Sequence, residues 1–176
     1  MAPLDWVMYA KRTLVTGCIT SAAGLLALLV VSRCEAGSAV AALNGSSQIL
    51  HGDAALRERR LRARFTLPAL LIHHASAHWW AAVHEHPRLA ASVRKPAVRA
   101  GAVIAFAALL DYGVLPRRLS PGYEGQLSRR GIALVFAALA GGLAIGSSIQ
   151  HPPTRLSSRI ARRLRQAPFA TGVAHE

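Results

Sequence analysis

Long uncharged stretches alternate with short arginine clusters along this chain, and that alternation predicts its elements. Four apolar runs stand out, over residues 14–31, 65–83, 97–115 and 131–149. Each approaches the ~20 residues that a helix rising 1.5 Å per residue needs to cross a hydrocarbon layer about 30 Å thick. Lys11-Arg12 and Arg33 bound the first run, Arg64 and Glu85 the second, and Arg129-Arg130 opens the fourth. Pro68 and Pro96 fall close to helix starts, where a missing N–H costs little, while Pro116 and Pro152 fall just past helix ends. The pattern predicts an all-α protein. Residues 1–153 form an integral membrane four-helix bundle with short interfacial helices, and 154–176 a basic amphipathic or flexible tail. The first run, 18 residues long, exceeds the ~7–15 residues of a signal-peptide core, and no small-x-small site follows at Ser32-Arg33-Cys34, so it reads as a retained helix.

Composition sharpens this picture. The 176 residues carry 21 Lys and Arg against 8 Asp and Glu, a net charge of +13, yet 52% are hydrophobic and only 16% charged. A soluble domain this basic would spread far more charge over its surface. Disordered chains and nucleic-acid-binding modules need that spread as well, so both readings lose ground and no nucleic-acid partner is expected. Two cysteines cannot frame a disulfide-stapled secreted fold. Cys18 and Cys34 read as a packing residue and an interfacial thiol.

Orientation follows from the flanking charges. Four spans put both termini on one side, with eleven basic residues there and ten on the other. Lys11-Arg12 outweighs Arg33 beside Glu35, which places both termini in the cytoplasm. Arg59, Arg60, Arg62 and Arg64 within 56–64, and Arg159, Arg162 and Arg163 in the tail, suit basic helices lying on anionic lipid headgroups. Their plainer role is to stop helices and fix orientation.

Helices immersed in lipid associate through close packing and interhelical hydrogen bonds, because lipid tails are as apolar as leucine. The fourth run supplies Ala138, Gly142 and Gly146 at one-turn spacing, and the first supplies Gly17, Ser21 and Gly24. Close approach of runs one and four is the plain expectation. Homodimerisation through the Gly142–Gly146 face is the sharper one.

Ionisable groups inside these runs need a reason, since charge at membrane depth is costly. In the second run His74, His78, Ala81 and Glu85 fall on one helical stripe, with Ser76 nearby. His84, Glu85 and His86 read as interfacial, and Trp79 and Trp80 as belt anchors. Three uses compete for the histidines. An i, i+4 pair suits a transition metal or haem iron, although a third ligand is missing unless His51, Asp53 or Asp111 folds in. A proton relay or pathway is the second use. Neutral interhelical hydrogen bonding is the third and plainest. Asp111-Tyr112 lies inside the third run, where Asp111 would pair with Arg117, Arg118 or a histidine of the second run. Glu124 has Arg117, Arg118, Arg129 and Arg130 within reach.

Three strings taken together resemble a known group: Asn44-Gly-Ser-Ser-Gln-Ile-Leu-His-Gly-Asp-Ala54, His74-Ala-Ser-Ala-His-Trp-Trp-Ala81, and Asp111-Tyr-Gly-Val-Leu-Pro-Arg-Arg-Leu-Ser-Pro-Gly-Tyr-Glu124. They are similar to small, uncharacterised proteobacterial inner-membrane proteins over about residues 14–149. The resemblance implies topology and compartment, and no activity. It places histidine at the position of Gln48 and asparagine at that of His73, which counts against a metal site using either.

No Gly-x-Ser-x-Gly elbow, His-Glu-x-x-His pair or phosphate-cradling glycine loop occurs, which weighs against an enzyme. The leading expectation is a non-enzymatic membrane protein with a structural or interaction role and no required cofactor. A small proton-linked carrier using His74, His78 and Asp111, and a haem or metal protein, are the alternatives.

Overall fold

The computed structural model describes residues 5–150, and every regular element among them is helical. The first helix, α1, runs Trp6–Ala36. It starts well before the apolar run because the Asp5 carboxylate accepts a hydrogen bond from the Met8 amide at 3.0 Å, capping the free end. Gly37, in the left-handed region at φ 69°, ends it. Three short helices follow, α2 (Ala41–Gly45), α3 (Gln48–His51) and α4 (Asp53–Arg57), and then the long α5 (Ala63–Glu85). Helices α6 (Pro87–Ser92) and α7 (Pro96–Leu109) each begin on a proline. A π-helical turn over Leu110–Val114 extends α7, and two 3-10 turns lead to α8 (Arg129–Gln150). At the start of α8 the Glu35 carboxylate accepts from the Ser128 amide at 2.6 Å and its hydroxyl at 2.8 Å, an acid placed at the positive end of the helix dipole.

Three helical segments are long and apolar enough to cross a membrane: Trp6–Ala36, Pro96–Val114 and Arg129–Gln150. This differs from the expected four. At 23 residues α5 has the length, but His73, His74, His78, His84 and Glu85 dilute its apolar character. The basic helix expected over 56–64 does not form either. The fully buried Asn44 side chain donates to the carbonyls of Glu58 (3.1 Å) and Arg60 (3.0 Å) and accepts from the Thr66 hydroxyl (2.8 Å). Those bonds hold 58–62 extended, so α4 stops at Arg57 and α5 begins at Ala63. Arg159, Arg162, Arg163 and the rest of the tail lie outside the described residues.

Helix α1 packs along α8 and α5, α8 also packs on α7, and α5 touches α7. Large apolar side chains such as Leu28, Ile104, Val135 and Leu143 are buried between the helices, but the inward face of α1 is mostly small or polar. The residues α1 buries are Thr16, Gly17, Thr20, Ser21, Gly24, Leu28 and Ser32, small or polar save one, while Leu14, Leu26 and Val30 face outward. Gly142 and Gly146 lie so close to α1 that a Cβ on either would meet the Thr20 Cα at 2.6 Å or the Thr16 Cα at 2.8 Å. The small-residue face of α8, with half-buried Ala138 a turn earlier, is therefore occupied by α1 of the same chain. It has no room for the second copy that the homodimer expectation required. Gly24 receives the Leu139 side chain of α8 in the same way.

Gly142→Ala must displace the Thr20 backbone, which costs roughly 1–3 kcal/mol as overpacking. Gly141→Ala meets nothing within 4 Å and gains up to about 1 kcal/mol of helix propensity. Thermal unfolding of the two variants in mild detergent is expected to move in opposite directions.

Candidate functional site

Polar side chains gather in three places, and α5 contributes to all of them. The first is a buried cluster where α1, α5, α7 and α8 meet. The Glu85 carboxylate, 3% exposed, accepts from the Thr16 hydroxyl at 2.9 Å and lies 3.3 Å from His84 Nδ1. His84 turns its Nε2 toward the Pro96 carbonyl at 3.3 Å. Arg99, buried in α7, donates to the Val93 carbonyl (2.8 Å) and to the Ser147 hydroxyl of α8 (3.0 Å), and its charge acts on Glu85. Gln150 Nε2 donates back to the Thr16 hydroxyl at 2.9 Å and to the Arg12 carbonyl. Glu85 and His84, expected at a solvated interface, are buried instead. Their polar partners sit on the other three long helices, which makes burial affordable.

The second gathering lies in the seam between α1 and α5. His73 and His74 are neighbours in sequence, and both reach Ser21. His73 Nε2 lies 3.1 Å from the Ser21 carbonyl and His74 Nδ1 3.0 Å from its hydroxyl. One turn on, His78 Nδ1 sits 2.9 Å from the His74 carbonyl, and its Nε2 faces the Cys18 Sγ at 3.7 Å. The His78 ring lies directly on Gly17, where a Cβ would meet it at 2.5 Å. A ligand atom from each of Cys18, His74 and His78 falls within 4.8 Å of the others, so these three could hold a metal ion. The residue near His74 and His78 that could complete such a set is Cys18 of α1, rather than His51, Asp53 or Asp111.

The third gathering lines a cavity of 170 Å³ that includes Thr20, His73, Ser76, Asp111, Tyr123 and Phe136. His74 and His78 lie outside it, so the three residues named for the carrier alternative, His74, His78 and Asp111, do not line one cavity here. His73 is the histidine that joins Asp111. The Asp111 carboxylate makes no hydrogen bond or ion pair among the described residues, and neither expected arginine pairs with it. Tyr112 packs its ring on Phe136, centroids 6.0 Å apart. Glu124 accepts from the Ser120 hydroxyl at 2.8 Å rather than taking an arginine. Burial pushes the Tyr123 hydroxyl up to about 12, with the Asp111 charge acting in the same sense. Trp79 is outward-facing, and Trp80 meets the Phe106 ring edge-on.

The connectors close over this cavity through backbone contact. Gln48 Nε2 donates to the carbonyls of Arg117 (2.9 Å) and Ser120 (2.8 Å). Gly122, at φ 74°, lies against Gly45 so closely that a Cβ would sit 2.6 Å from the Gly45 carbonyl oxygen. Two of the strings that carry the family resemblance, 44–54 and 111–124, are thus the two sides of one junction. Arg59, Arg60, Arg62 and Arg64 are exposed; Arg62 pairs with Glu58 at 3.1 Å and Arg64 stands over the Phe65 ring. Compared with protein-family models, curated proteins and solved structures, the chain matches none.

Glu85→Ala strips the buried cluster of its carboxylate beside His84 and Arg99 and should cost about 3 kcal/mol or more. Glu85→Gln keeps an acceptor for Thr16 and should cost less; denaturation in detergent micelles reads both. Tyr123 gives a second expectation. A phenol with a raised value binds more protons folded than unfolded between its ordinary value near 10 and about 12. Its contribution to stability is therefore complete below pH 10 and lost as pH rises through that window. Tyr123→Phe should unfold with a shallower alkaline loss over the same range.

Proposed function

We propose that this chain is a four-span integral protein of a bacterial inner membrane, with α5 as the fourth span and both termini in the cytoplasm. Its intramembrane polar groups hold helices together and carry out no catalysis, which gives it a structural or interaction role. One observation carries the reading, the faces of α1: threonine, serine and glycine fill the buried face with Leu28, while Leu14, Leu26 and Val30 are exposed. Water would make that arrangement costly and lipid makes it favourable, since only inward contacts then reward small and polar side chains. On α5, Leu67, Leu71 and Trp79 are exposed, together with His74 and Ser76. The likeness of three strings to proteobacterial inner-membrane proteins supports the compartment, and the exposed arginines of 59–64 suit anionic headgroups.

A second reading, a small proton-linked carrier, is favoured by the cavity that His73 and Asp111 share. On that reading Asp111→Asn abolishes a pH-dependent flux in vesicles while leaving the fold intact. On the structural reading the variant changes no flux.

Expressed in a bacterium, the chain is expected to stay with the membrane pellet through alkaline carbonate and to leave it only with detergent. Recovery in the carbonate supernatant would refute the membrane reading.

A further inference from the structure

The α1–α5 seam brings three metal-ligating side chains together, Cys18, His74 and His78. Cys18 is exposed, and its sulfur lies 3.7 Å from His78 Nε2, a thiol–imidazole hydrogen-bond contact that an ion could replace. His78 Nδ1 is engaged by the His74 carbonyl, an acceptor, so Nδ1 carries the proton and Nε2 presents its lone pair toward Cys18. Metal-binding histidines are oriented in this way, with one ring nitrogen tied to an acceptor and the lone pair of the other directed at the ion. The Ser21 hydroxyl fixes the His74 ring on the opposite side of the seam. The rings of His74 and His78 lie 4.2 Å apart between centroids, within reach of one ion.

Distance supports a shared ion. Bonds of ~2.3 Å to sulfur and ~2.0–2.1 Å to nitrogen place the two atoms about 3.6 Å apart at a tetrahedral angle and about 3.8 Å apart at a trigonal one. The observed Sγ···Nε2 separation is 3.7 Å. Gly17 makes the geometry attainable, because any larger residue there would push the His78 ring off α1.

We propose that Cys18, His74 and His78 form a binding site for one monovalent soft ion, Cu+. A thiolate with two imidazoles suits Cu+ and Zn2+ alike. Charge decides between them. On binding, the Cys18 S–H bond breaks, its proton passes to water and an S–Cu bond forms, so thiolate and Cu+ sum to zero. With Zn2+ the site would carry +1 midway along a 31-residue helix, where uncompensated charge is costly. The choice of ion rests on the membrane reading, and the ligand set does not.

The test uses the full chain, purified in mild detergent without a polyhistidine tag, reduced and stripped by chelator. Cu+ alone is titrated anaerobically against a chromophoric Cu+ chelator, then Zn2+ alone is offered as competitor. One Cu+ per chain is expected, with X-ray absorption reporting one sulfur and two nitrogen ligands. Cys18→Ser and His74→Asn should each weaken binding at least tenfold with helix content unchanged, while Cys34→Ser and His86→Ala leave it as it was. Substoichiometric binding, an unaffected Cys18→Ser variant, or displacement of Cu+ by equimolar Zn2+ would overturn the proposal. Carbonate extraction of the same expressed protein is scored separately, so loss of copper binding leaves the membrane reading standing.

Discussion

Where Thr16 of α1 meets Gly146 of α8, two kinds of interaction coincide, and the arrangement of the other helices depends on both. The glycine lets the helices approach until a single added carbon would strike the Thr16 Cα. That approach brings the Thr16 hydroxyl into position to donate to Glu85 and to accept from Gln150. Packing and hydrogen bonding therefore reinforce one another at one residue. On the membrane reading, such contacts matter most, because lipid gives little reward for hiding leucine. Down α1 the buried positions are small or polar apart from Leu28, while Leu14, Leu26 and Val30 are exposed.

The Glu85 cluster extends the same logic to all four long helices. Its carboxylate would be expensive alone; with Thr16, His84, Arg99 and Ser147 around it, the expense becomes a penalty against any arrangement that separates them. Helix α5 then divides the remaining polar groups. His73 and His74 differ by one helical step, about 100°, so one borders the Asp111 cavity and the other opens onto the Cys18 seam. His74 and His78 therefore lie apart from the cavity that Asp111 lines. The π-helical turn at Leu110–Val114 belongs to this division, since it carries Asp111 at the cavity wall.

The helices were legible because apolar runs and flanking prolines are local signals. The small-residue faces of α1 and α8 were legible as well, since one-turn spacing of glycine survives without knowledge of the partner. What sequence could not supply was which polar groups share a neighbour. Glu85 sits at the end of an apolar run next to His84 and His86, a pattern that reads as an interface; only the four-helix contact makes it a buried centre. Cys18 and Gly17 acquire meaning only from the His78 ring against them. Arg59 to Arg64 looked helical by charge and spacing, but the Asn44 amide, fourteen residues before Glu58, holds that stretch extended. Long-range side-chain-to-backbone bonds of this kind leave no periodic trace.

The account rests on lipid as the medium outside the helices, and α5 is where that is least secured by apolarity alone. Trp79 is 67% exposed on its outer face. The most direct measurement replaces Trp6 and Trp80 by phenylalanine and follows the fluorescence of Trp79 in reconstituted vesicles. Brominated acyl chains should quench it strongly and aqueous iodide scarcely at all. Strong iodide quenching without bromine quenching would place that face of α5 in water and contradict the account.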